Sequence, residues 1–143
     1  SGAIVTIGAS WDVAAHGHHN IELYGTDGSV FVPDPNFFGG DVVTTDISGT
    51  RTKVTPWDHP FGKPNQGEGD NQRANYRTAG LADMMQAIEQ GRPARCGLDV
   101  ALHAVDVMTS ILKAGETGQV VTLTTTCERP AALGPDEARA LLR

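Results

Sequence analysis

The sequence contains few aromatic residues, little positive charge and no long apolar run. Four Phe, two Trp and two Tyr among 143 residues predict a core built mainly from Val, Ile, Leu, Met and Ala. Apolar runs are shorter than the roughly 18 residues that a membrane helix needs, so no membrane partner is expected. The chain has 11 Lys and Arg and 17 Asp and Glu, and its basic residues form no cluster along the sequence. No nucleic-acid partner is therefore expected.

Cysteine is also scarce. Cys96 and Cys127 lie far apart in unlike surroundings. A disulfide between them remains one possibility, but two reduced thiols are the preferred interpretation. The start of the chain has no charged segment followed by an apolar segment, as a signal peptide would. We therefore expect a cytoplasmic protein.

The length suits one domain, and 39% hydrophobic with 20% charged residues is typical of a globular chain. A β-branched run over residues 3–7 follows directly on Ser1 and Gly2. Natural proteins seldom open inside a sheet without a lead-in. We therefore expect residues 1–143 to be a single domain of a longer protein.

The first half of the chain is predicted to form strands joined by turns. Asp27 and Gly28 separate two β-branched runs, which indicates a hairpin because glycine reaches positive φ without steric cost. Pro33 and Pro35 end the second of these runs, since proline cannot donate to a β-ladder. The predicted strands cover residues 3–13, 21–24, 29–32, 41–47 and 50–56.

The second half is predicted to be mainly helical after a long loop over residues 57–71. Apolar residues recur three and four positions apart along 81–88 and 98–114, which gives each helix one apolar side. A strand over 119–125 and a short helix over 131–143 follow. This order predicts an α+β fold, with an open-faced, mostly antiparallel sheet and helices packed on one face. The other face would meet solvent, another domain or another subunit.

Several segments, taken in order, resemble the C-terminal domain of the Gfo/Idh/MocA oxidoreductases. Their order and spacing carry the resemblance, which covers nearly the whole chain. The segments are IELYGTDGSV at 21–30, PDPNFFGG at 33–40, RTAGLADM at 77–84, AIEQGRP at 87–93, ALHAVDVM at 101–108 and CERP at 127–130.

The resemblance implies a parent protein with an N-terminal Rossmann domain that binds NAD or NADP. The family oxidises or reduces hydroxyl-bearing carbons, mostly of sugars and polyols. Its open sheet helps to wall the substrate cleft and commonly builds dimers or tetramers. The implied partners are therefore the Rossmann domain, a sugar-like small molecule and further copies of the chain in a homodimer or homotetramer.

The chain departs from the family in the motifs that carry the chemistry. It has neither a G-x-G-x-x-G fingerprint nor a Glu-Lys-Pro segment. Asp99 and His103 reproduce the spacing of the family's Asp-x-x-x-His motif, but they fall on the polar side of a predicted helix. The cofactor then has no helix start to anchor it, and no acid/base pair serves the interconversion of alcohol and carbonyl. We expect no catalytic, cofactor-binding or metal-binding residue here and an inert isolated chain.

Six residues are candidates for lining a substrate. A Trp beside polar groups is a common platform for sugars, although a core Trp is the alternative. Imidazoles both donate to and accept from hydroxyls. An arginine before a helix either clamps a substrate oxygen or lies on the surface. The candidates are Trp11, Asp12, His16, His18, Tyr76 and Arg77.

Two other functions stay open. One is a non-enzymatic module that associates through its open sheet face, with itself or with a carbohydrate. The other is a small metalloprotein, because Asp12, His16 and His18 would share one face of an extended strand.

Overall fold

A computed structural model describes residues 2–54 and 58–143. They divide into two compact units. The sheet unit contains the described residues up to Asn36 and those from Gly40 to Val54. The helical unit contains Phe37–Gly39 and the described residues from Asp58 onward.

The sheet unit is a four-stranded antiparallel sheet in the order β1-β2-β3-β4. Together with the helices of the second unit it confirms the predicted α+β class and the open sheet. The strands are β1 (Ile21–Gly25), β2 (Gly28–Val32), β3 (Val43–Asp46) and β4 (Arg51–Lys53).

The predicted hairpin at Asp27 and Gly28 is confirmed, and its glycine has a second role. Gly28 has a φ of 151°, and a Cβ added there would lie 2.2 Å from the carbonyl oxygen of Thr45. A side chain at this position would therefore push β3 away from β2. The next turn is held by Asp46, whose carboxylate accepts hydrogen bonds from the amides of Ser48 and Thr50, both at 2.9 Å.

The helical unit contains the three predicted helices. They are α1 (Ala79–Gln90), α2 (Leu98–Thr117) and α3 (Pro135–Leu141). Gly91 and Gly118 end α1 and α2 in the left-handed conformation, with φ of 64° and 65°. Both glycines therefore act as the predicted helix stops. The long loop forms two 3₁₀ turns, Pro60–Gly62 and Gly69–Asn71.

The core of the helical unit is small and partly ionic. Phe61 is fully buried and stacks on Tyr76 with ring centroids 4.7 Å apart. Asp83 of α1 is only 4% exposed and accepts hydrogen bonds from the Arg92 guanidinium and the Arg95 amide, both at 2.8 Å. Burial alone would raise the pKa of Asp83, but these hydrogen bonds hold that pKa below its ordinary value.

Arg95 connects this buried carboxylate to the last helix. Its guanidinium also lies 2.9 Å from the carboxylate of Glu137 in α3 and donates to the carbonyl of Ala131 at 3.1 Å. Glu137 in turn accepts a hydrogen bond from the amide of Gly134 at 2.9 Å. Asp83 and Arg95 thus tie α1 to α3.

Two predicted strands are wrong. Residues 3–13 lie outside every strand, with Ile4 and Val5 94% and 79% exposed. Residues 119–125 also form no strand, because Thr124 and Thr125 donate their amides to Asp106 on α2 at 2.8 and 2.9 Å. β-branched composition favours a strand only where a neighbouring strand supplies the hydrogen bonds.

Two predictions from the sequence concern the relation between the sheet unit and the helical unit. The packing of the helices on one face of the sheet, and the assignment of residues 1–143 as one domain, stay predictions. Among the helices in the described part of the chain, none combines the length and the apolar character needed to cross a bilayer.

Candidate functional site

The strand register divides the sheet into two unlike faces. Residues paired across neighbouring strands point to the same side, and side chains alternate along each strand. One side of the sheet, which we call the Phe31 face, carries two rows that contain charged and polar side chains. Its rows are Glu22, Phe31, Val43 and Lys53, then Tyr24, Ser29, Thr45 and Arg51.

The opposite side is mainly apolar, and we call it the Leu23 face. Leu23, Val30, Thr44 and Thr52 form one row across it, and Ile21 and Val32 form another. A third row on this face pairs Gly25 and Gly28 with Asp46, whose carboxylate holds the turn after β3. The Leu23 face is therefore the more apolar of the two, with one carboxylate at its hairpin end.

Phe31 is the centre of its face. The ring of His19 lies on it at 4.8 Å between centroids, and the ring of Tyr24 meets it edge-on at 6.3 Å. The guanidinium carbon of Arg51 lies 5.2 Å from the centre of the Phe31 ring. An aromatic ring therefore holds an imidazole, a phenol and a guanidinium around itself.

Glu22 organises the polar groups beside this ring. Its carboxylate accepts hydrogen bonds from the His19 amide at 2.9 Å and the Tyr24 hydroxyl at 3.0 Å. His18 Nδ1 lies 3.5 Å from the same carboxylate. The His19 amide and then the Tyr24 hydroxyl lower the pKa of Glu22, and Glu22 raises the pKa of Tyr24. At neutral pH the face therefore presents an ionised acceptor and a neutral phenol.

The second row ends in Thr45 and Arg51. The hydroxyl of Thr45 is buried and has no hydrogen-bond partner in the described part of the chain. Arg51 is its cross-strand neighbour. Lys53 differs, because its ammonium is paired with Asp41 at 2.8 Å.

An open depression of about 430 Å³ lies at the hairpin end of the sheet. Ser29 and Thr45 of the Phe31 face line it together with the turn residues Thr26 and Asp27. Its volume falls in the range of small-molecule sites, although it is open to solvent. Gly25, Gly28, Val30, Thr44 and Asp46 of the opposite face also line it, so the depression belongs to the hairpin end and not to the Phe31 face alone.

The structure places four of the six predicted site residues in the sheet unit. His18 joins the Glu22 cluster. Trp11, Asp12 and His16 are exposed in the segment before β1, which is not a strand. The premise that Asp12, His16 and His18 share a strand face is therefore wrong.

The other two predicted residues lie in the helical unit. The Tyr76 hydroxyl donates to the carbonyl of Lys63 at 2.9 Å while its ring stacks on Phe61, so this side chain anchors the loop. Arg77 is exposed in the turn before α1. His103, expected on a solvated polar side of its helix, instead lies 3.0 Å from the Thr125 hydroxyl through Nδ1.

Sequence reasoning missed the central residues of the Phe31 face. The available signal was the hairpin register, because a turn at Thr26 and Asp27 pairs Glu22 with Phe31. Alternation then adds Tyr24 to the same side. The pairing of β3 and β4, which brings in Arg51, had no equally local signal.

No metal centre emerges from the described ranges 2–54 and 58–143. They contain no group of three His, Cys, Asp or Glu side chains placed to hold a metal ion. Cys96 is exposed, Cys127 is half-buried, and both are free thiols.

Comparison with known proteins adds no relative. The chain matches no protein-family model, no curated protein and no solved structure.

Proposed function

We propose that this chain is the substrate-side domain of a Gfo/Idh/MocA-type NAD(P)-dependent oxidoreductase that acts on a hydroxyl of a sugar or polyol. In this proposal the Phe31 face is the wall on which the ligand lies. The observation that carries it is the Phe31 ring with Glu22, Tyr24 and Arg51 around it. Donors and acceptors bordering an apolar ring complement the O–H and C–H groups of a polyol.

The reacting groups would lie in another domain of the parent protein. Hydride transfer needs a nicotinamide, and an N-terminal Rossmann domain would bind NAD or NADP and supply the acid/base residues. The residues of this chain would orient the polyol and exclude water from one side of it. Assembly through the sheet into a cytoplasmic homodimer or homotetramer would complete the enzyme.

Four of the six segments that carry the family resemblance fall on helices or strands of the fold. Residues 21–30 lie in the β1–β2 hairpin. Residues 77–84 and 87–93 contain α1 and its Gly91 cap, and residues 101–108 lie within α2. Residues 33–40 and 127–130 lie outside the helices and strands.

Ligand titration followed by saturation-transfer NMR tests the proposal. We expect wild-type chain to bind myo-inositol or glucose at millimolar concentration and to bind no NADH. Phe31→Leu, which removes the ring but keeps an apolar side chain, should weaken sugar binding about tenfold. Leu23→Ile, a matched change on the opposite face, should leave it within about twofold. Tight NADH binding, or equal sugar binding by Phe31→Leu, contradicts the proposal.

The second candidate is a non-enzymatic module that associates through its sheet. The Leu23 face favours it, because Ile21 and Leu23 on β1 are 38% and 54% exposed on this face. Sedimentation velocity should then show a concentration-dependent dimer or tetramer that Leu23→Glu dissociates. A monomer at all concentrations excludes association by this face.

A further inference from the structure

We propose that the exposed side of helix α2 is an interface at which two copies of this chain pair, with their helices antiparallel across a two-fold axis at Val105. This surface differs from the Leu23 face, because α2 belongs to the helical unit. The inference goes beyond the proposed function and does not depend on it, since no residue of α2 belongs to the Phe31 face.

Helix α2 turns its polar side toward its own chain. Asp106 accepts hydrogen bonds from the amides of Thr124 and Thr125 at 2.8 and 2.9 Å. His103 Nδ1 lies 3.0 Å from the Thr125 hydroxyl. An amphipathic helix normally turns its apolar side to the core. In α2 these hydrogen bonds fix the reverse orientation, and the helix cannot rotate to bury its apolar side without breaking them.

The opposite side of α2 carries an apolar stripe, which we call the Val105 stripe. Its side chains recur at helical spacing over about four turns, and no charged residue lies among them. Its six large side chains are each between 50% and 84% exposed. They are Leu98, Leu102, Val105, Met108, Ile111 and Leu112. A surface without charge selects another apolar surface as its partner.

The order of residues in the Val105 stripe matches a second copy of itself. Leu98 and Leu112 lie seven positions before and after Val105. Leu102 and Met108 lie three positions before and after it. An antiparallel copy therefore places Leu98 on the partner's Leu112 and Val105 on its own counterpart. A two-fold interface requires a surface that matches itself in this way, because the same patch serves both subunits.

The size of the Val105 stripe suits a contact between two copies. At roughly 100 Å² of accessible surface for each large side chain, the stripe offers about 600 Å² per copy and about 1,200 Å² in a pair. Specific interfaces bury roughly 1,200–2,000 Å², and those of homodimers are the more apolar ones. The pair reaches the lower end of this range, so we expect a dissociation constant in the micromolar range.

Sedimentation velocity at about 1 to about 300 µM tests the interface. We expect the wild-type chain to pass from monomer to dimer over this range. Val105→Glu sets two carboxylates against each other on the axis and should weaken dimerisation at least about thirtyfold. Val120→Glu is the matched control, because Val120 is 98% exposed and lies beyond the end of α2. This control should keep the dissociation constant within about twofold of the wild-type value.

A charge-swap pair tests the antiparallel arrangement. Leu98→Lys and Leu112→Glu should each weaken the dimer about tenfold, since each places an unpaired charge in an apolar contact. The two substitutions combined should recover most of this loss, because each new ammonium then faces a new carboxylate of the partner. The two positions lie about 21 Å apart along their own helix, so a contact within one copy cannot produce the recovery.

Three results would overturn the proposal. One is a wild-type chain that stays monomeric, and another is a dimer that Val105→Glu leaves intact while Leu23→Glu dissociates it, because the copies would then pair through the sheet. The third is a combined variant that dimerises no better than the single ones. None of these results bears on sugar binding by the Phe31 face, so failure of the interface is distinct from failure of the proposed function.

Discussion

At the scale of single residues, Asp106 shows how the fold uses a carboxylate. It accepts hydrogen bonds from the hydroxyl and amide of Thr125 at 2.8 and 2.9 Å and from the amide of Thr124 at 2.8 Å. The Thr125 hydroxyl and then the Thr124 amide lower the pKa of Asp106 to about 2. Its stabilisation of the folded chain is therefore complete above the ordinary pKa of 3.8 and fades as pH falls toward 2.

The first prediction follows from this pKa. At pH 3 the carboxyl of Asp106 should stay mostly ionised, whereas a carboxyl of ordinary pKa would be mostly protonated. The ¹³C shift of the Asp106 carboxyl measures it, with Asp106→Asn to assign the signal. In that variant the amides of Thr124 and Thr125 should exchange faster with solvent. A midpoint near pH 4 contradicts the hydrogen-bonding geometry.

The second prediction concerns the Glu22 cluster. Tyr24→Phe removes the hydroxyl that donates to Glu22 at 3.0 Å, so the pKa of Glu22 should rise toward its ordinary value. A carboxyl ¹³C titration of Glu22 measures the change. Tyr76→Phe is the control, because that hydroxyl donates to the carbonyl of Lys63 instead. If Tyr24→Phe leaves the Glu22 titration unchanged, the cluster is not formed in solution.

At the scale of elements, the sequence predicts a turn or a helix end correctly where the residues that stabilise it are close together in the chain. The Asp27–Gly28 turn and the glycine caps at 91 and 118 encode their elements within a few residues, and those elements formed. The strands expected over 3–13 and 119–125 depend on a distant neighbour that periodicity cannot supply. The Phe31 face could not be predicted from the sequence for the same reason. Arg51 comes close to Phe31 only because β3 pairs with both β2 and β4.

The third prediction tests the hairpin. Gly28→Ala should destabilise the chain by about 2 kcal/mol, because its Cβ would meet the Thr45 carbonyl at 2.2 Å in a backbone conformation unfavourable for alanine. Gly25→Ala is the control on the adjoining strand, where a Cβ makes an ordinary 3.5 Å contact. Urea unfolding followed by circular dichroism measures both. Equal stability of the two variants contradicts the register.

The fourth prediction tests the ionic tie between α1 and α3. Asp83→Ala should lower the free energy of unfolding by about 2–4 kcal/mol, since it leaves the Arg92 and Arg95 guanidinium groups without their shared buried partner. Asp136→Ala removes an exposed pair with Arg139 and should cost less than about 0.5 kcal/mol. Urea unfolding again measures both. Comparable small losses would mean that the Asp83 network contributes little.

At the scale of the whole molecule, each of the two units has exposed apolar side chains. Leu98 of α2 and Ile88 of α1 are 84% and 75% exposed, and Leu23 is 54% exposed on the sheet. Surfaces of this kind commonly meet a partner. Exposed apolar surfaces on both units are compatible with the proposed role as one domain of a larger enzyme.

The most direct measurement maps where a sugar binds. Chemical-shift changes in a ¹H–¹⁵N spectrum of the wild-type chain should cluster at Glu22, Tyr24, Phe31, Thr45 and Arg51 as glucose is added. Addition of NADH should leave the spectrum unchanged. Sugar-induced changes confined to the Leu23 face or to the helical unit, with the Phe31 face silent, would contradict the account.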